Sequence, residues 1–175
     1  MPKVSIARPA PSEHNPYYSR YIELVPDGDL LKTLERQGRQ TAKLLRAIGE
    51  KKSKYRYAPD KWTIREVVGH MSDTERVFAY RAMTFARADA TGLPSFDENA
   101  WARASNAGDR TLNDLVTELE SVRTSTLALF RGFGPDYFTR TGVASNHPIS
   151  VRALAYIIAG HEKHHVNILK ERYGV

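Results

Sequence analysis

At 175 residues the chain has room for one domain with a full core and is short for two. It contains no cysteine, which excludes disulfides and thiolate ligands and fits a reducing compartment. No apolar run reaches membrane-spanning length and no charged-then-apolar leader is visible, so the expectation is a soluble, cytoplasmic protein with no membrane partner. The net charge of +6 is concentrated between residues 32 and 65, where Lys32, Arg36, Arg39, Lys43, Arg46, Lys51, Lys52, Lys54, Arg56, Lys61 and Arg65 oppose only Glu35, Glu50 and Asp60. Such a face can attract nucleic acid, but no aromatics interleave with the cations of the first helix and no base-reading motif is present. It reads as a solvated helix face and a charged loop, with no specific nucleic-acid partner.

Residues 1–25 hold Pro9, Pro11, Pro16, Tyr17, Tyr18 and Tyr21. They cannot form a long helix and are expected to run as an extended N-terminal arm over the body, residues 26–175. After Pro26 a first helix is predicted over 27–48, with Leu30, Leu34, Leu44, Leu45 and Ile48 on one stripe and Gln37 and Thr41 on the same face. Thr63, followed three residues later by Glu66, forms a capping box that opens a second helix, running to about Ala90. Ile64, Val67, Met71, Thr74, Phe78 and Phe85 share its inner face, and His70 lies off the centre of that face. A long connection, residues 93–110, carries Phe96, Asp97, Glu98 and Trp101. A third helix spans 111–132, with Leu112, Leu115, Leu119, Val122, Thr126 and Phe130 inward and Arg123 near the middle of the stripe. A fourth starts near Ser150. No strand-period segment longer than a few residues is found, so the fold class is all-α, a four-helix bundle.

The fourth helix carries the chemistry. Advancing 100° per residue puts Leu154, Ile157, Ile158, His161, His165, Ile168 and Leu169 in one arc. His161 and His165 stand at its centre, four residues apart, where both imidazoles can reach one ion. His164 falls at the edge of the arc, facing solvent or the rim of the site. With His70 from the second helix, three neutral nitrogens are available, and without cysteine the ligands must be nitrogen or oxygen. Three imidazoles with open positions suit a divalent metal, zinc or nickel by ligand type.

The string His161-Glu162-Lys163-His164-His165 also matches the H-E-x-x-H motif of zinc proteases. There a further ligand often lies downstream. Glu171, the remaining candidate here, is on the wrong side of the helix, and no substrate-binding strand precedes the motif. Glu162 sits at the margin of the buried face, either in an interhelical ion pair or as a group that orients a ligand histidine. The inward polar residues Gln37, Thr41, Thr74, Arg81 and Arg123 are candidates for a substrate-pocket wall. For each arginine, pairing with a carboxylate or snorkelling is the competing reading.

Three segments together resemble the DinB/YfiT-like metalloenzymes: residues 62–70 (Trp-Thr-Ile-Arg-Glu-Val-Val-Gly-His), Leu93-Pro94-Ser95-Phe96-Asp97 with Trp101, and His161-Glu162 with His165. The likeness covers residues 25–175 and leaves the arm outside. It implies a bundle with a minor variant of up-and-down topology, a divalent metal on His70, His161 and His165, and frequent homodimers. Members include thiol-dependent transferases and isomerases as well as proteins described only as hydrolases.

The leading expectation is therefore a metal-dependent enzyme that transfers a low-molecular-weight thiol to an electrophilic small molecule. The thiol must come from a cofactor, because the protein has no cysteine, and it would ionise at the metal. Hydrolysis by metal-activated water is the second reading, with Glu162 or Asp97 as a base if the fold brings either close. A non-catalytic damage-response binding protein, with a structural metal and a basic first helix, is the third.

Overall fold

The computed structural model of the chain describes residues 5–175. Its elements in chain order are α1 (Ser19–Ile22), α2 (Leu30–Ile48), α3 (Glu50–Ser53), α4 (Ile64–Ala86), α5 (Glu98–Ala104), α6 (Leu112–Arg131), β1 (Thr141–Ala144), β2 (His147–Ser150) and α7 (Val151–Tyr173). The four long helices begin where the sequence places an oxygen to receive orphan N–H groups. Asp29, Thr63, Thr111 and Ser150 accept from the backbone nitrogens of Lys32, Glu66, Asp114 and Ala153. At Thr63 the box closes both ways, since Glu66 Oε2 accepts from the Thr63 N–H at 2.6 Å.

Helix α4 packs against α6 and α7, and α2 packs against the same two partners. Consecutive helices α2 and α4 therefore stand diagonally across the bundle, as do α6 and α7. The core divides into two apolar clusters. One gathers Leu34, Phe78, Phe85, Phe130, Leu154 and Ile157; the other gathers Leu45, Ile64, Val68, Leu115, Val116 and Leu169. Between them the same four helices contribute buried polar side chains: Thr41 from α2; His70, Thr74 and Glu75 from α4; Arg123 and Thr126 from α6; His161, Glu162 and His165 from α7. No helix among the described residues is long and apolar enough to cross a membrane.

Three features add detail to the sequence reading. The arm crosses the body but is not extended throughout: residues 11–13 and 16–18 form single 3₁₀ turns and α1 follows. The segment before α7 folds into an antiparallel hairpin, Thr141 opposite Ser150 and Ala144 opposite His147. Its turn residues Ser145 and Asn146 have φ of 53° and 65°, the backbone that suits two-residue hairpins. Four-residue strands are too short to show a period of two, so only the turn could have announced them. In the long connection, Asp97 accepts from the N–H groups of Asn99 and Ala100 and starts α5.

The arm is held at several points. Arg8 donates to the carbonyls of Ile22 (2.8 Å) and Val25 (2.7 Å), and Tyr156 donates to the carbonyl of Ile6. Glu13 pairs with Arg152. Ile6, Tyr21, Ile22 and Val25 are buried.

Candidate metal centre

Helix phase brings the three inward histidines to one point in the polar layer. Nε2 of His161 lies 3.1 Å from Nε2 of His70 and 3.0 Å from Nε2 of His165. One nitrogen from each ring falls within 4.8 Å of the other two. Two ligands of one cation at 2.0–2.1 Å stand roughly 3 Å apart, so the spacing fits a shared ion. Mutual hydrogen bonding fits less well, because His161 Nε2 carries either one proton or one lone pair and faces two ring nitrogens at once. These three side chains could hold a divalent cation.

Electrostatics prepares them as ligands. Burial, with a smaller push from His164, lowers the pKa of His70 from 6.5 to about 4. Burial also holds His161 and His165 well below the usual imidazole range, and the neighbouring histidines add to the effect. All three rings are thus neutral at pH 7 and present lone pairs. Thr74 Oγ1 lies 3.4 Å from His70 Nδ1. A proton on Nδ1 pointing at that oxygen leaves Nε2 free to bind a metal.

Aromatic rings enclose the cluster. Trp62 lies 4.7 Å from the His70 ring between centroids, Tyr21 lies 5.5 Å from His161, and Phe78 lies 6.4 Å from His161. His164 is half-buried, with its ring 5.2 Å from both Tyr21 and His165, and it contributes no nitrogen to the cluster. Tyr21 reaches this position because residue 160 is glycine. A Cβ at Gly160 would lie 2.0 Å from the Tyr21 carbonyl oxygen, so only glycine lets the arm backbone rest on α7 one residue before His161. In the sequence Tyr21 is marked only as one of the arm's tyrosines. The readable signal was a tyrosine-rich arm, and nothing local tied it to a histidine forty positions beyond a hundred.

The remaining candidates are spread over the layer. Thr74 touches His70, whereas Thr41 is buried on α2 and makes no hydrogen bond to the rings among the described residues. Arg81 donates to the Pro94 carbonyl at 2.7 Å. Arg123 donates to both oxygens of Glu75 at 2.8 Å and pairs with Glu162 at 2.8 Å. Gln37 donates to Glu162 Oε2 and to the Ala159 carbonyl. Glu162 therefore turns away from the histidines into a buried ion network, and exposed Asp97 caps α5. Neither carboxylate faces the cluster as a base.

A diagonally crossed four-helix bundle with a histidine cluster in its polar layer defines the class. The chain belongs to the DinB superfamily, whose family model matches residues 33–169. Its fold is similar to that of YfiT from Bacillus subtilis, described as a probable metal-dependent hydrolase with an unusual four-helix bundle topology. The two share 18% identity over 96% of this chain and 94% of that one, with a TM-score of 0.70. No curated protein matches the sequence.

Proposed function

We propose that this protein is a metal-dependent hydrolase in which His70, His161 and His165 hold one divalent cation. The observation that carries the reading is the convergence of three buried, neutral Nε2 atoms from two helices. These three residues would hold the cation, which would supply Lewis acidity and ease the loss of a proton from water or a thiol near neutral pH. The protein's own part is to fix that position and keep it dry. Thr74 orients His70, and Trp62, Tyr21 and Phe78 exclude bulk solvent from the ring nitrogens. Zinc and nickel both suit an all-imidazole donor set. The description of YfiT supports hydrolysis as the reaction. Transfer of a low-molecular-weight thiol is the second reading, favoured by the absence of a carboxylate at the cluster among the described residues, since a thiol ionised by the metal needs no separate base.

Elemental analysis of the purified protein tests the centre, with about one equivalent of a divalent metal per chain expected. His70→Ala, His161→Ala and His165→Ala should each lose most of it, and His164→Ala should keep it. Unchanged occupancy in His161→Ala would remove the centre from the argument. Ester and amide substrates, assayed beside thiol and epoxide pairs, separate the two reactions.

A further inference from the structure

Three arginines are buried among the described residues: Arg65, Arg81 and Arg123. Arg65 pairs with Glu50 at 2.6 Å, and Arg123 pairs with Glu75 and Glu162. Arg81 is 2% exposed, yet no carboxylate of the described residues lies within ion-pair distance of it. Its Nη2 donates to two neutral acceptors, the Pro94 carbonyl at 2.7 Å and Ser145 Oγ at 3.2 Å. The Tyr18 phenol lies beside the guanidinium: burial raises the phenol's pKa and the Arg81 charge acts against that rise. Buried charges are ordinarily paired, and a buried guanidinium with only neutral partners keeps donors for an anion.

Its location connects it to the histidines. Residues 70, 74, 78 and 81 fall along one face of α4, with about 16 Å of helix axis between His70 and Arg81 at 1.5 Å per residue. Long side chains on a helix lean toward its N-terminus. The Arg81 guanidinium accordingly lies 5.6 Å from the Phe78 ring, and Phe78 in turn packs on His161. Arg81 also lines a largely apolar cleft of about 350 Å³ with Val77, Tyr80, Phe96 and Trp101, where the charge of Asp73 is met by Arg76. The cleft gives an apolar ligand a way to the guanidinium without unfolding.

We propose that the small molecule handled at the histidine centre is an apolar carboxylate, and that Arg81 is the residue that recognises its carboxylate. The proposal rests on the metal-centre reading for the reaction but not for the binding. Planar guanidinium and carboxylate groups match in a two-point contact, the Tyr18 hydroxyl can donate to the same anion, and the cleft takes the apolar body. Tyr18 belongs to the arm, which precedes residues 33–169, the part of the chain that the family model matches.

The test uses the full-length protein stripped of metal by chelation, so that a carboxylate cannot bind the ion instead. Calorimetric titration compares 4-phenylbutyrate with its neutral analogue 4-phenylbutanamide. Wild type should prefer the carboxylate by about tenfold or more, the worth of one charge-assisted contact. Arg81→Gln should abolish the preference and Arg81→Lys should retain part of it. Equal affinity for acid and amide, binding of neither, or a preference that survives Arg81→Gln overturns the proposal. Should Arg81→Gln fail to fold by circular dichroism, the wild-type comparison and Arg81→Lys still decide. His161→Ala, assayed alongside, should lose metal and keep the preference. A protein that prefers the carboxylate but binds no metal defeats the metal-centre reading alone; one that binds metal without the preference defeats this proposal alone.

Discussion

Glu162 follows His161 directly, and the two side chains serve opposite halves of the polar layer. Glu162 and Glu75 are both buried and share one cation, Arg123, with Gln37 as an extra donor. Burial alone would lower the pKa of Arg123, but the two carboxylates outweigh it and hold the group firmly charged. Two carboxylates thus share one guanidinium, and Glu162 Oε1 has no hydrogen-bond partner among the described residues. Removing the cation and replacing one of the two carboxylates should therefore differ sharply. Arg123→Met leaves two carboxylates buried without a counter-charge and should cost about 3–5 kcal/mol, whereas Glu162→Gln should change stability by roughly 1 kcal/mol or less. Urea denaturation of both variants, free of metal, measures the asymmetry; equal losses would mean that Arg123 is not the partner on which both carboxylates depend. The inward phase of Arg123 was legible in the sequence, as was the marginal position of Glu162. Their pairing was not, because it depends on which helices are neighbours.

The elements that the sequence announced are those whose signals are local. The capping box at Thr63 and the apolar stripes mark the four long helices, and the helical phase of His161 and His165 marks the histidine cluster. The β1–β2 hairpin, α5 and the diagonal placement of α2 and α4 leave no periodic trace and are decided by packing. The arm is the clearest case, since its course over α7 depends on a glycine far along the chain. Gly160→Ala gains about 1 kcal/mol of helix propensity, but its methyl group would meet the Tyr21 carbonyl. The expected result is a displaced arm, seen as faster proteolysis near residues 17–22 with the bundle helices still protected. Slow cleavage equal to wild type would show that the arm tolerates the methyl. The arm also has an acid-sensitive latch. The hydrogen bond from Arg152, acting against partial burial, lowers the pKa of Glu13 from 4.5 to about 2. A depressed carboxylate pKa contributes stability that is complete above pH 4.5 and lost as the pH falls toward 2. Protection factors of arm amides, taken relative to the intrinsic exchange rate at each pH, should fall across that window in wild type, while in Glu13→Gln they should already be low at pH 6 and lack that component. Because the pair is partly exposed, its contribution is about 1 kcal/mol after solvent screening.

For the molecule as a whole, the polar layer lies where the four long helices pass between two apolar clusters. Its histidines come from α4 and α7, so an ion held there ties two neighbouring helices together across the plane where the core is least apolar. An ion that binds the folded state alone stabilises it by RT ln(1 + [M]/Kd), about 2.7 kcal/mol at a free concentration one hundred times Kd. For a chain of this size each kcal/mol moves Tm by roughly 2–4 °C, so chelation should lower Tm by about 5–10 °C under those conditions. His161→Ala should melt at one temperature with or without chelator. The three buried rings must also find hydrogen bonds among themselves when no ion is present, and His161 Nε2 faces two of them, so the metal-free protein should lose exchange protection first in the segments around His70 and His165. A chelator-independent Tm in wild type that demonstrably contains one metal per chain would place the ion somewhere other than the core, since a ligand bound equally by folded and unfolded chains shifts nothing.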